Sequence, residues 1–294
     1  MALRKNQFAA IDAINEAINT SIDEFEGVLP LLQKRLLLQL KNALTALKLT
    51  SEGLIKPTTD NIQLIQKIMD DLRGGLVTRQ YIKALDKYLA TFNPILELNN
   101  KYFSLLEVNY IPSKTRFTEL SKQIVDLTKF TMGQSGVWNN VMNDIQTLLT
   151  SNAASGGSYS DMLRTLTTQV RGNAQVKGYV EKYAKQLVTD SVMQYNRQMQ
   201  STIAADLKLQ WYYYQGTLIK DSRPFCRERA GNYYHQKEVE SWANQKWQGK
   251  VAATNENSIF TYAGGYNCRH TIVPVSETVV PASDILRAKN LKYL

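Results

Sequence analysis

Residues 211–242 read WYYYQGTLIKDSRPFCRERAGNYYHQKEVESW, and they differ in kind from everything that precedes them. The aromatic and β-branched residues that begin at Leu209 are typical of a strand. Proline and polar residues at 220–224 then indicate a turn. The same reasoning predicts four more elements downstream: a short strand or turn at 232–234, a helix at about 237–246, a strand at about 258–262, and a last strand within NCRHTIVPVS.

The chain before this stretch has the periodicity of helices. Apolar residues recur at intervals of three and four, as from Ile11 to Ile22, which places them on one helical face. Gly27 and Pro30 predict the end of the first helix, and Gly74 with Gly75 predict a left-handed end to a later one. The spacing does not keep a strict heptad, which favours a bundle core over an assembly coiled coil. Further helices are predicted within 32–47, 60–72, 78–92, 95–108 and 113–149, with breaks near Pro94, Pro112 and 133–136.

The predicted fold class is α+β, with a long, mainly helical N-terminal region and a small α+β C-terminal module. Residues 1–150 form a helical bundle or arm, and the small polar residues SNAASGGS at 151–158 form a linker. A short helix and a long one occupy 159–208 and lead into the module at 209–281. Residues 282–294 form a tail, as a surface helix or an arm.

Composition excludes several classes of protein. The 294 residues suffice for about two domains, and 44% hydrophobic with 21% charged residues is ordinary for a globular chain. No apolar run is long enough for a membrane span or a signal peptide, so we expect cytosolic synthesis without membrane contact. The net charge of +9 favours weak, non-specific attraction to DNA. A merely soluble basic surface is the commoner meaning of such a charge.

Two cysteines and two histidines form the one set of residues that suggests metal chemistry. Cys226 and His235 lie nine residues apart, and Cys268 and His270 flank a single residue. Two sulfurs and two imidazoles are the ligand inventory of a tetrahedral zinc site. The spacing differs from that of zinc fingers. Two other interpretations stay open: small buried side chains in a turn-rich core, and a Cys226–Cys268 disulfide.

A second hypothesis makes His235 and His270 an acid/base pair for cleavage of RNA or DNA, with neighbouring arginines and lysines stabilising the phosphorane. No nucleophile elbow, P-loop, dinucleotide fingerprint or H-E-x-x-H run accompanies them. The tryptophans and tyrosines of the module could likewise stack on bases. Large aromatic side chains in so small a module more often form its core. The sequence therefore favours a non-enzymatic protein.

The order of these features resembles one family. A long helix leads into an aromatic strand, a G-T step, a D-x-R turn, an A-G step before a histidine, a W-x-G step and a closing N-C-R-H segment. This arrangement resembles the head morphogenesis family of tailed phages, the minor capsid family that includes the F protein of phage Mu. The positions that carry the resemblance are Gly216, Asp221, Arg223, Gly231, His235, Gly264, Gly265, Asn267, Cys268, Arg269 and His270.

The resemblance covers about a quarter of the chain, and it implies a structural role. It implies a virion protein present in several copies, found in the host cytoplasm during assembly and in the capsid afterwards. Its expected partners are the portal or the major capsid protein, together with non-specific contact to packaged DNA. Some members are suspected zinc binders, and His270 stands where many have a second cysteine. The alternative is a phage-borne nuclease or toxin-like enzyme.

Overall fold

The computed structural model describes residues 3–106, 110–111, 114–133 and 135–294, with side chains of 114–116 left aside. It confirms the α+β class, with a long helical region followed by a small sheet. The predicted break near Pro112 lies outside the described residues. The helices are α1 (Lys5–Leu44), α2 (Thr59–Arg73), α3 (Leu76–Ala90), α4 (Phe92–Ser104), α5 (Lys114–Met132), α6 (Val137–Ala154), α7 (Tyr159–Arg171), α8 (Tyr179–Asp206), α9 (Pro224–Arg227), α10 (Gln236–Ser241), α11 (Ile259–Tyr262) and α12 (Ala282–Asn290).

The first helix runs straight through the predicted stop. Pro30 lies inside α1, although a proline in a helix interior costs about 3 kcal/mol because its nitrogen cannot donate. The apolar stripe continues in phase on both sides, and Phe25, Leu29, Leu32 and Leu36 are all buried. Burial of each such side chain contributes about 1.5–3 kcal/mol. The stripe therefore outweighs the proline, and the predicted end at Gly27 and Pro30 was wrong.

The contacts between Cα atoms divide the chain into two units. The bundle unit comprises Asp23–Leu89 and Asp126–Val188, and the mixed unit comprises Met1–Ile22, Ala90–Val125 and Thr189–Leu294. This division differs from the predicted one at 150, because α1, α5 and α8 each contribute residues to both units. The segment 151–158 does not separate two regions: it lies inside the bundle unit, where Gly157 O accepts a hydrogen bond from Ile55 N.

The sheet belongs to the mixed unit. Its strands are β1 (Trp211–Gln215), β2 (Tyr233–His235) and β3 (Thr271–Val275), in the order β2-β1-β3 with both pairings antiparallel. Trp211 pairs with His235 on one side and Val275 on the other, while Gln215 pairs with Thr271. The aromatic strand predicted from Leu209 is therefore the centre of the sheet.

Two local predictions were wrong. The segment near 258–262 is the short helix α11 rather than a strand, because Asn255 Oδ1 accepts the backbone N–H of Asn257 and Ser258 and starts a helical turn. Gly74 ends α2 with φ −92°, so the predicted left-handed end is absent there.

The C-terminal tail is a packed helix in part. Arg287 of α12 donates to the carbonyl of Tyr233 and pairs with Asp284 and Glu238. Within the described ranges, no helix combines the length and apolar character required to span a bilayer.

Candidate functional site

The end of the β1–β3 pair positions one histidine. Because Gln215 pairs with Thr271, Gly216 lies beside His270. A Cβ added to Gly216 would come within 2.5 Å of the His270 Cδ2 atom. The glycine of the G-T step therefore makes room for the imidazole.

Three of the four predicted ligands meet at this end of the sheet. Cys268 lies two residues before His270, and Cys226 lies on α9. The two sulfurs are 3.9 Å apart, Cys268 Sγ is 3.9 Å from His270 Nδ1, and the three ligand atoms lie within 4.8 Å of one another. The residues are 2%, 3% and 6% exposed for Cys226, Cys268 and His270. This buried group can hold a metal ion.

The two cysteines are not bonded to each other. A disulfide joins its sulfurs at about 2.05 Å, whereas Cys226 and Cys268 are free and 3.9 Å apart. The disulfide interpretation therefore does not describe this structure.

A glycine closes one side of the cluster. A Cβ on Gly264 would lie 2.6 Å from Cys226 Sγ and 2.7 Å from Cys268 Sγ, so only glycine brings backbone this near to both sulfurs. Its carbonyl accepts a hydrogen bond of 3.0 Å from Trp247 Nε1. Trp247 in turn stacks on Phe225, with ring centroids 4.1 Å apart. The W-x-G and G-G steps thus cover the cluster.

Helix α8 fixes the loop that carries Cys268 and His270. The buried guanidinium of Arg197 donates to the carbonyls of Cys268 at 2.5 Å and His270 at 2.5 Å, and to Thr261 at 3.1 Å. Two turns earlier on α8, Asp190 Oδ1 accepts the backbone N–H of Asn267 at 2.6 Å. From one face of α8, the Asp190 carboxylate therefore binds a backbone N–H of the loop and the Arg197 guanidinium binds its carbonyls.

The surroundings shift the pKa values of the two thiols in opposite directions. The pKa of the Cys268 thiol is held well below its usual value, first because Cys226 donates a hydrogen bond to it, against the effect of burial, and further by His270 and the charge of Arg197. The same hydrogen bond and burial raise the pKa of Cys226. The thiolate is the form that ligates metals, so Cys268 is prepared to do so.

His235 lies elsewhere. It pairs with Trp211 at the opposite end of β1, and its ring contacts the Trp211 ring edge-on at 5.4 Å. Gly216 follows Trp211 by five residue steps along the extended chain, which is about 17 Å at about 3.3 Å per step. The structure thus corrects the four-ligand set to three. It also separates the two histidines that the nuclease hypothesis requires as a pair.

The remaining motif residues shape the backbone around the cluster. Arg223 donates to the Tyr266 carbonyl at 2.6 Å, and not to Asp221, which is exposed and makes no ion pair in the described part of the chain. Gly231 has φ +84° and donates to the Tyr214 carbonyl. Gly265 has φ +94° and lies against the carbonyl of Gly249, Asn267 has φ +55°, and Arg269 contacts Asn19 at 3.4 Å.

Sequence reasoning missed the residues that hold the site. Arg197 and Asp190 lie on the apolar face of α8, and Tyr214 donates to Cys226 Sγ at 3.3 Å from the central strand. A charged residue on an otherwise apolar helix face is the signal that would have revealed the first two, because such a charge needs buried partners.

Comparison with protein-family models, curated proteins and solved structures found no match to this chain.

Proposed function

We propose that the chain is a structural protein of a tailed-phage head whose C-terminal module is stabilised by a zinc ion on Cys226, Cys268 and His270. One observation carries the proposal: Cys226, which follows the D-x-R turn, lies in one buried cluster with Cys268 and His270 of the N-C-R-H segment, and that turn and that segment carry the resemblance to minor capsid proteins.

The donor set fits zinc. Two sulfurs bound to one tetrahedral zinc at about 2.3 Å lie about 3.8 Å apart, close to the 3.9 Å between Cys226 and Cys268. Two thiolates and an imidazole are soft and borderline ligands of the kind zinc prefers. Bound zinc would join α9 to the segment before β3, and its binding free energy would add to the stability of the module.

Burial favours a structural over a catalytic role. Three protein ligands with a fourth non-protein ligand is the count of many catalytic sites, and no fourth Cys, His, Asp or Glu joins the cluster among the described residues. The three ligands are, however, at most 6% exposed, which leaves a macromolecular substrate no access to the metal.

The proposed place of the protein follows from the resemblance. Several copies associate with the portal or the major capsid protein, where the helical region supplies the docking surface. The net charge of +9 supports weak, sequence-independent attraction to packaged DNA.

The zinc part is tested by elemental analysis of protein purified without added metal. We expect about one equivalent of zinc in the wild type and in His235→Ala, and a loss of zinc in Cys268→Ser and His270→Ala. His235→Ala is the matched control, because His235 is as buried as His270 but lies outside the cluster. Less than about a tenth of an equivalent in the wild type would refute the site, because structural zinc binds tightly.

The virion part is tested on particles of the phage that encodes the chain. We expect the protein in purified particles, co-sedimentation with portal or major capsid protein, and intact RNA and DNA after incubation with it. Absence from purified particles would disprove the assignment, and cleavage that His235→Ala or His270→Ala abolishes would establish the nuclease alternative.

A further inference from the structure

A second candidate site lies in the bundle unit, far along the chain from the cysteines. A cavity of about 330 Å³ opens between the middle of α1 and the end of α7, and it is lined by Pro30, Leu31, Gln33, Lys34 and Arg171. A water molecule takes about 30 Å³ in the liquid. The cavity therefore has room for an oxyanion together with several waters.

The charge in this cavity is positive and uncompensated. Lys34 and Arg171 are exposed, and neither makes an ion pair or a side-chain hydrogen bond in the described ranges. No acidic residue lines the cavity. Two cations contributed by different helices thus face the same space.

Acidic residues are absent from both segments of the sequence that line the cavity. Residues 27–51 contain four basic and no acidic residues, and residues 162–180 contain three basic and none acidic. The cavity joins these two segments through Lys34 and Arg171. Charge that is dispersed along the sequence is therefore concentrated in space.

A buried polar group lacks a partner at the same place. Gln33 is 4% exposed, and its Nε2 atom has no hydrogen-bond partner in the described part of the chain. A buried donor without a partner costs about 1–3 kcal/mol. The Nε2 atom is shielded from solvent and lies tight against Gly178, where an added Cβ would come within 2.1 Å of it, so Gln33 forms part of the wall and the two exposed cations are the groups that can reach a ligand.

We propose that this cavity binds a phosphate group. A tetrahedral oxyanion accepts hydrogen bonds from the fork of an arginine and from a lysine ammonium, which are the donors that Arg171 and Lys34 supply. Two positive charges exclude a cationic ligand. The phosphate comes either from a small phosphate compound or from a nucleic-acid backbone. The site does not depend on the phage assignment.

The test measures binding of inorganic phosphate to the full chain, by thermal-shift titration against chloride at equal ionic strength so that general screening cancels. We expect binding by the wild type and at least about tenfold weaker binding by Lys34→Gln/Arg171→Gln. Lys67→Gln/Lys83→Gln is the control, because it removes the same charge from exposed positions on α2 and α3. All four side chains are exposed, so both double variants should fold.

A second arm identifies the source of the phosphate. Each backbone phosphate contact adds about 0.9 to the dependence of log affinity on log salt. A slope for duplex DNA that falls by roughly 2 in Lys34→Gln/Arg171→Gln, but not in the control, assigns the cavity to nucleic acid. Unchanged DNA binding with lost phosphate binding assigns it to a small phosphate compound. Phosphate no better than chloride in the wild type, or equal binding by both double variants, overturns the proposal.

Discussion

The two units bury polar groups in different ways. Among the described residues, the buried Asp, Glu and Arg side chains are Asp190, Arg197, Arg229 and Glu238, and all belong to the mixed unit. The buried polar side chains of the bundle unit are neutral, such as Thr78, which donates to the Leu72 carbonyl at 2.6 Å. Its ion pairs involve exposed or half-buried side chains, as in Lys87 with Glu24.

The buried charges of the mixed unit each hold several partners. Arg229 lies over the rings of both Phe225 and Trp242, with its Cζ 3.9 Å and 4.7 Å from their centroids. It also donates to the Phe225 carbonyl and to Gln245 Oε1. Arg197 likewise donates to four carbonyls, two in the loop before β3 and two in α11. Short elements and loops need such anchors, because they bury too few apolar side chains to fix their own backbone.

This difference teaches where stability is concentrated. In the bundle unit it is distributed over long apolar stripes, so a single change removes a small share. In the mixed unit it depends on a few side chains with many bonds, so we expect single substitutions there to have larger and more specific effects.

The largest expected effect is that of Arg197→Met. The change keeps much of the side-chain volume but leaves the carbonyls of Cys268 and His270 buried without donors. We expect a loss of about 3–5 kcal/mol in the free energy of unfolding, measured by denaturant unfolding followed by tryptophan fluorescence. Three of the four tryptophans, Trp211, Trp242 and Trp247, lie in the mixed unit.

The matched control is Arg164→Met in the bundle unit. Arg164 pairs with Asp161 at 2.8 Å, but both side chains are largely exposed, and such pairs contribute about 0–1 kcal/mol. A loss as large as that of Arg197→Met would show that the two units do not differ as described.

The next test compares two glycines. Gly264→Ala places a Cβ 2.6 Å and 2.7 Å from the two sulfurs, which we expect to cost about 1–3 kcal/mol and to weaken metal binding. Gly27→Ala adds a Cβ with nothing within 4 Å, inside α1, and we expect it to stabilise the chain by about 0.5–1 kcal/mol. Thermal unfolding of both variants measures whether each substitution lowers or raises the stability. A gain in stability for Gly264→Ala would contradict the geometry of the cluster.

The same contrast explains what the sequence could predict. Helix periodicity locates α2, α3, α6 and α7 to within a few residues, because their apolar faces are local patterns. It failed at Pro30, where a breaker residue competes with an apolar stripe that continues on both sides. The outcome depends on the burial free energy summed over the whole apolar stripe. A rule about single helix-breaking residues does not include that sum.

The candidate site was predictable in part for a related reason. Cys268 and His270 are separated by one residue, so their proximity follows from the sequence spacing alone. His235 could not be excluded from the set, because the register that places it at the far end of β1 depends on the turn between the strands. Arg197 and Asp190 act through loop carbonyls and a loop N–H, which carry no side-chain pattern.

The smallest expected effect is a dependence on pH. Burial first, and then Lys237, lowers the pKa of His235 below 6.5, against the carboxylates of Glu240 and Glu277. The unfolded chain therefore binds the proton first as the pH falls. The contribution of the neutral ring to stability is complete above pH 6.5 and is lost progressively below it. Protonation also removes the Nδ1 acceptor of the Lys237 N–H, which is 3.3 Å away.

His235→Gln isolates this contribution, because it keeps a polar group without a titration near neutral pH. We expect the free energy of unfolding of the wild type to fall more steeply than that of the variant as the pH drops below 6.5, measured by denaturant unfolding at a series of pH values. Both histidines of the chain lie in the mixed unit, so the bundle unit should contribute nothing to the difference. Parallel pH profiles for the two proteins would mean that the end of β1 accommodates the protonated ring. The stability would then be insensitive to a change at this buried group, in contrast to the large loss that we expect on substitution of the buried Arg197.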